Sequence, residues 1–254
     1  MKLAATDFDG TFAPHRQPVP ASNIEAVARW QAAGNLFGIC TGRGLSLIEF
    51  EIRKYPALHP DYLVCNNGAV VVNAKRESLA SLCFPVDMLR GLLELPIVRQ
   101  TKNPMRLLTE TDMYLLDTGS TIEFGLVIPM ETLSFAAAEA MEKVVQISMR
   151  CESVEEAEAV TAEVTKAYPD LIGNINRNYI DFNLKEANKR DGLRRLLQKT
   201  GWQPEETLFI GDDQNDLPAV KYFHGYTVET AEPFMKEAAT AVYPSVGDML
   251  LAHL

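Results

Sequence analysis

Two stretches of this chain alternate short apolar runs with amphipathic segments, and a stretch of different rhythm lies between them. Residues 2–6 (KLAAT) read as a buried strand. Residues 22–34 (SNIEAVARWQAAG) read as a helix with Ser22 as N-cap, Glu25 completing a capping box and Gly34 as its stop. A second strand (LFGICTG, residues 36–42) ends in small residues, and a further helix (GLSLIEFEIRKY) leads to a third apolar run at residues 62–72 (YLVCNNGAVVV), broken by the turn signal Asn67-Gly68. Parallel neighbours cannot be joined by a tight hairpin, so strand, helix, strand, helix, strand predicts a parallel sheet with right-handed crossovers.

After about residue 80 the rhythm changes to CFPVDMLRGLLELP, the short runs MYLLDT and TIEFGLVIP, the helix-like ETLSFAAAEAMEKV, and VVQISMR. A helix (SVEEAEAVTAEVTKAYP) and a last pair of strands (LIGNI and YIDFNL) close this mixed, hairpin-rich part. From Asn188 the first rhythm returns, with helix KRDGLRRLLQKTG, strand TLFIGD, helix NDLPAVKYF, a short strand GYTV and a terminal helix after Gly247. The pattern predicts an α/β protein whose parallel-sheet core is made of residues 1–79 and 184–254, with an α+β domain, residues 80–183, inserted into it. An insert of roughly 100 residues can support a core of its own.

Composition narrows the function classes. The 254 residues are 47% hydrophobic, as in a globular protein, but no apolar run reaches the roughly 18–20 residues a bilayer span needs. Asp7 and Asp9 fall where a signal peptide would need an apolar stretch, so the expectation is a cytoplasmic protein without a membrane partner. Cys40, Cys65, Cys83 and Cys151 are far apart and read mostly as small core residues, not as disulfide or metal pairs. With 24 basic and 34 acidic residues the net charge is −10, and no basic cluster interleaved with aromatics marks a nucleic-acid surface. An acidic chain repels an anionic small molecule at long range, so a site for a phosphate ester must supply its own cations. Nothing in the pattern fixes an oligomeric state.

Ligands of an open parallel sheet bind at the carboxyl ends of its strands. Three polar clusters fall at such ends: Asp7–Thr11 (DFDGT), Thr41-Gly42-Arg43, and Gly211–Asp216 (GDDQND). Asn188 and Lys189 open a helix near the last of these in sequence. Alternation along an extended tip points the Asp7 and Asp9 side chains the same way, and Gly10 lets the chain turn sharply after them. Two carboxylates about 4 Å apart repel by roughly 4 kcal/mol at an effective dielectric near 20. A hard divalent cation removes that repulsion, and Mg²⁺ characteristically takes one or two carboxylates and bridges to a substrate phosphate.

With a cation and a phosphoryl group in place, roles follow. Asp7 is the candidate nucleophile, forming an aspartyl-phosphate. Asp9 is the candidate acid and base, protonating the leaving alkoxide and then taking a proton from water. Thr41, backbone N–H groups near Phe8 and Gly42, and the Lys189 ammonium are candidates to hold the phosphoryl oxygens, with Asp212 completing the metal site. Asn215 and Asp216 support the metal or the phosphate; Arg43 supports the site or pairs with a neighbouring acid. A cation in a first helical turn opposes the helix dipole, which marks Lys189 as either solvated or held for an anion. His15, His59, His224 and His253 are scattered and receive no role.

Taken together and in this order, DFDGT, CTGR, Lys189 and GDDQND resemble the four motifs of the haloacid dehalogenase (HAD) superfamily of phosphatases. CNNGA (residues 65–69) and the position of the insert resemble the Cof-type subfamily with a large α/β cap, type IIB, whose cap is of type C2B. The resemblance implies a Rossmann-like core and a cap that closes over the crevice. It also implies Mg²⁺ as cofactor, Asp7 as nucleophile and ligand, Asp9 as acid/base with its carbonyl on the metal, and Asp212 as ligand. Thr41, Lys189 and Asn215 are then phosphate contacts, and small phosphorylated metabolites, above all sugar phosphates, are the substrates. Phe12 stands where the family usually has leucine, Asp213 where it commonly has glycine, and ANKRDG only approximates the lysine-glycine motif, leaving Lys185 as a substitute for Lys189. A phosphomutase of the same superfamily and a receiver-like or inactive phosphate-binding module are the alternatives. The large insert and the retention of both Asp7 and Asp9 favour hydrolysis over the module.

Overall fold

The computed structural model describes residues 1–15, 17–122, 124 and 128–254. The chain starts with β1 (Leu3–Thr6), α1 (Ala21–Ala32), β2 (Leu36–Cys40), α2 (Leu45–Ile52), β3 (Tyr62–Cys65), β4 (Val70–Asn73) and β5 (Ser78–Ser81). Then come α3 (Val86–Glu94), α4 (Pro96–Arg99), β6 (Met105–Leu108), β7 (Met113–Leu116), β8 (Glu131–Leu133), α5 (Phe135–Glu139), β9 (Gln146–Arg150), α6 (Val154–Ala167), β10 (Leu171–Asn176) and β11 (Tyr179–Leu184). The remainder is α7 (Lys189–Thr200), β12 (Thr207–Ile210), α8 (Leu217–Tyr222), β13 (Thr227–Val228), α9 (Pro233–Ala238), β14 (Val242–Tyr243) and α10 (Val246–Ala252). Two compact units result: Met1–Ala80 with Asn188–Leu254, and Ser81–Ala187. The second boundary falls after Ala187, later than the expected residue 183, because β11 runs through Leu184 and the Lys185 N–H still donates to Asp170 O.

The first unit is a sheet in the order β12-β1-β2-β3-β4-β5, in which β12, β1, β2 and β3 are parallel. This is the α/β core the strand–helix rhythm predicts. Its apolar filling includes Phe12, Trp30, Phe37, Ile39, Ile48, Leu63 and Phe209, all fully buried. The CNNGA stretch reverses the chain, so β4 returns antiparallel to β3. At the first helix the expected cap is corrected: α1 begins at Ala21 after Pro20, with no side-chain cap, and Ser22 lies inside the first turn. Pro20, at φ −59°, is pre-set for a chain entering a helix, so the hydroxyl cap is dispensable. No helix is long and apolar enough to cross a membrane among the described residues.

The second unit is a sheet in the order β10-β11-β9-β6-β7-β8, antiparallel except for β7 with β8. Met105, Leu107, Ile147, Met149, Ile180 and Phe182 on one sheet face share a core with Leu89, Leu92 and Leu93 of α3 and with Ala157, Val160 and Val164 of α6. The helix-like ETLSFAAAEAMEKV is corrected as well. Its first residues form β8, and Ser134, whose Oγ accepts from the Ala137 N–H, restarts the chain as the short α5. Part of the run TIEFGLVIP lies outside the described residues.

Candidate active site

Everything in this site belongs to the first unit. At the tip of β1 the Asp7 N–H donates to Ile210 O at 2.9 Å, extending the ladder one residue past the strand. The chain then closes on itself, the Ala13 N–H donating to Phe8 O and the Gly10 N–H to Ala13 O, each at 2.8 Å. Gly10 has φ +95°, and a Cβ there would stand 2.3 Å from Asp212 Oδ2. Glycine is required twice over, by backbone conformation and by the approach of an acid from the tip of β12. Thr11 Oγ1 donates a short hydrogen bond to Asp212 Oδ1, tying residues 201 apart in sequence.

Lys189 is almost wholly buried, and its Nζ lies 2.6 Å from Asp7 Oδ1 and 2.6 Å from Asp216 Oδ1. The start of α7 is fixed from two sides. Asn188 caps it by accepting from the Asp191 N–H at 3.0 Å, and the turn after β3 packs so closely that a Cβ on Gly68, φ +103°, would lie 2.2 Å from Asn188 O. Asp216 Oδ2 in turn accepts from the Asp212 and Asp213 N–H groups, both at 3.2 Å, which shapes the loop after β12.

Carboxylate oxygens of Asp7, Asp212 and Asp216 all come within 4.8 Å of one another. Burial pushes the Asp7 carboxyl well above the usual carboxylate range against the pull of Lys189, and the charges of Asp216, Asp212 and Asp9 push the same way. Burial lifts Asp212 to about 6, against the hydrogen bond from Thr11 and with Asp216 adding to the rise. Desolvation pulls on the Lys189 ammonium, but Asp216 and Asp7 outweigh it and hold it protonated above its ordinary range. One ammonium among three carboxylates leaves excess negative charge. A buried all-oxygen donor set with that excess fits a hard divalent cation such as Mg²⁺.

Asp9 is placed differently from its neighbour. Its carboxylate is half exposed and is bound by Arg43, through Nε and Nη2 at 2.7 Å each, while Arg43 Nη1 reaches Glu51 Oε1 at 3.3 Å. The structure thus gathers Asp216, expected only in support, with Asp7 and Asp212, and turns the Asp9 carboxylate to Arg43. A cleft of about 200 Å³ borders this pair, lined by Phe8, Asp9, Gly10, His15, Arg43 and Glu51 among others. The Phe8 side chain itself is core, leaving its backbone as the part available to a ligand.

Thr41 is buried at the end of β2; its N–H donates to Val64 O at 2.8 Å and its Oγ1 accepts from the Arg43 N–H at 3.1 Å. A Cβ on Gly42 would stand 3.0 Å from Asn67 Oδ1, and Asn215 Nδ2 donates to that same oxygen at 3.2 Å. Thr41, Gly42 and Asn215 are therefore joined through Asn67, a residue the sequence reading used only as a turn signal. Asn66 and Asn67 are both buried with φ of 53° and 55°. Asparagine is enriched in that left-handed region, so the doubled Asn before Gly68 was the available signal. Glu51 carried no signal, and Thr11 was marked only as the last residue of the DFDGT cluster. His15, given no role, has Nε2 3.7 Å from Asp212 Oδ2.

A model of haloacid dehalogenase-like hydrolases matches residues 4–252. The chain belongs to that family. Among similar proteins, "Putative phosphatase YxeH" of Bacillus subtilis (strain 168) is 24% identical over 261 residues, covering 99% of this chain and 96% of the relative. Among solved structures, the HAD subclass IIB sugar phosphatase BT4131 superposes with a TM-score of 0.81 at 22% identity, covering 99% of this chain and 97% of that one. A HAD/COF-like hydrolase from Plasmodium vivax gives a TM-score of 0.83 at 19% identity, covering 99% and 94%. These likenesses establish the HAD-like fold, a Rossmann-like parallel-sheet core with an inserted α+β domain.

Proposed function

We propose that this protein is a phosphatase that hydrolyses small phosphorylated metabolites, with sugar phosphates as the leading class, through a phosphorylated Asp7. The observation that carries the reading is the buried Lys189 set between Asp7 and Asp216 with Asp212 beside them. That arrangement holds a nucleophilic carboxylate in one orientation and keeps a cation where phosphoryl oxygens gather charge.

Asp7, Asp212 and Asp216 would hold Mg²⁺, directly or through water, with the Asp9 carbonyl as a further ligand. When bound, Mg²⁺ offsets the charge of the phosphoryl group and of the acids around it. Asp7 attacks phosphorus in line, the bond to the ester oxygen breaks, and Asp9 protonates the departing alkoxide. Asp9 then takes a proton from water as that water attacks the phosphoryl group, releasing phosphate and restoring Asp7. Asp9 must loosen at least one of its hydrogen bonds to Arg43 for each transfer. Thr41, the Gly42 N–H and Asn215 steady the phosphoryl oxygens. Several groups must act together, because phosphate monoesters are among the slowest substrates to hydrolyse unaided.

The test is release of inorganic phosphate from a panel of phosphorylated sugars, nucleotides and cofactors, with Mg²⁺ and with EDTA. Hydrolysis that requires Mg²⁺ is expected. Undiminished turnover in EDTA would remove the metal from the reading, and no release from any ester would remove the phosphatase.

A further inference from the structure

Glu51 is an acid in the last turn of α2, where the helix dipole disfavours it, and that turn carries no basic residue of its own. Two cations from outside the helix reach it instead. Arg43 Nη1 donates to Glu51 Oε1 at 3.3 Å, and Lys54 Nζ, just past the helix end, donates to Oε2 at 2.7 Å. Glu51 stands about two turns on from Gly44, the N-cap of α2, which returns it to the side of the helix that Arg43 approaches. Lys54 is half exposed and makes an ordinary surface pair, whereas the Glu51 side chain is only 20% exposed.

The Arg43 guanidinium is held on three sides. Nε and Nη2 form the fork on Asp9, Nη1 is turned to Glu51, and Cζ lies 5.4 Å from the centroid of the buried Phe8 ring. Nε and Nη2 share one edge of the planar group and Nη1 lies off that edge, so a carboxylate on Nη1 restrains the rotation that would carry the fork away from Asp9. Asp9 and Arg43 by themselves would make a half-exposed ion pair whose two members can move together. Asp9, Arg43 and Glu51 all line the cleft of about 200 Å³. Glu51 therefore borders the same space as the proposed acid/base, although it touches neither Asp7 nor the metal-binding acids.

We propose that Glu51 is a positioning residue: it holds the Arg43 guanidinium in the plane that grips Asp9, and it stays as the partner of Arg43 when Asp9 lets go. The inference rests on the phosphatase reading only in giving Asp9 the proton transfers. To reach an alkoxide or a water, Asp9 has to loosen its fork with Arg43. A guanidinium with no second acceptor would then follow Asp9 or be left part-buried and unpaired, and either adds to the cost of the transfer. Glu51 is an acceptor already in contact, so the fork stays where it is and closes again on the returning carboxylate.

The test pairs kinetics with a spectrum of Arg43. On any ester the parent hydrolyses, Glu51→Gln is expected to lower kcat at least about threefold with KM within about twofold, because the loss falls on a step after binding. In an Arg43→Gln background, adding Glu51→Gln should change kcat by no more than about 1.5-fold, as for a residue that acts only through Arg43. Lys54→Gln, which removes the other partner of Glu51, should leave kcat within about twofold of the parent. An unchanged kcat in Glu51→Gln, a loss that multiplies with that of Arg43→Gln, or an equal loss in Lys54→Gln would overturn the proposal. The Arg43 Nε–H signal in ¹H–¹⁵N spectra, assigned by its absence from Arg43→Gln, decides the positioning role whether or not an ester is cleaved. That proton faces Asp9 and not Glu51, so faster exchange with water in Glu51→Gln supports the role, and a proton as protected as in the parent refutes it.

Discussion

Arg43 clasps Asp9 with two hydrogen bonds of 2.7 Å, one from Nε and one from Nη2, so the proposed acid/base of this site is fixed by a residue from the tip of β2. The clasp is a planar fork on a planar carboxylate, a geometry that lysine cannot reproduce. Arg43→Gln is expected to lower kcat about tenfold with KM within about threefold, and Arg43→Lys to restore little. Steady-state kinetics on any ester the protein hydrolyses checks this, and a variant as fast as the parent would show that the clasp does not position Asp9.

Asp7→Asn removes the nucleophile while keeping its shape. Turnover is expected to fall at least about 10³-fold. Without metal the melting temperature should hold or rise, because burial and three neighbouring acids already disfavour the Asp7 charge. Normal rates in this variant would rule out a phosphorylated Asp7.

Lys189→Met has the opposite effect on the fold. The substitution leaves Asp7 and Asp216 buried without their shared ammonium, and breaking a buried ion pair from one side costs about 3–5 kcal/mol. Urea unfolding in EDTA should show a loss of that order. Adding Asp7→Asn should recover part of it, because one of the stranded charges is then gone.

Gly10→Ala tests the approach of the two strand tips. The new Cβ would clash with the Asp212 carboxylate and would sit on a residue with φ +95°. A loss of about 1–3 kcal/mol in stability is expected from the strained backbone alone. The Mg²⁺ concentration giving half-maximal activity should rise as Asp212 is displaced, and an unchanged Mg²⁺ titration would place Asp212 outside the metal site.

Asp191 gives a pH dependence whose sign is fixed by structure. Burial alone would raise its carboxyl, but hydrogen bonds from Arg190, Asn188 and Arg194 outweigh burial and hold it at about 2, below the ordinary 3.8. The unfolded chain therefore binds this proton first as pH falls. The contribution to stability is present above about pH 4 and is lost as pH drops toward 2. Asp191→Asn should be less stable than the parent at neutral pH, and the two should converge near pH 2 in urea titrations.

The fold was legible where the signal is local. Apolar runs of strand length alternating with amphipathic segments require a parallel sheet, and acids next to glycines at the strand ends mark where its ligand binds. The segment after β7 was misjudged because the deciding contact is not local: β7 recruits as a strand the residues that helical spacing would have claimed. At the first helix the deciding residue is local, Pro20, which leaves α1 without a side-chain cap.

By itself, the sequence determined which acids, threonine and lysine could meet, since each follows a strand or opens a helix of one sheet. Only the tertiary structure decided how they pair. Asp7 and Asp9 are two residues apart, yet one is buried against Lys189 and the other is half exposed against Arg43. Asp216 joins Asp7 and Asp212 because the loop after β12 folds back on its own amides, and Asn67 reaches Asn215 because two left-handed residues turn it inward. Partner choice among charged side chains depends on burial and on groups brought together across some 200 residues of chain, as with Thr11 and Asp212, and no local pattern encodes that.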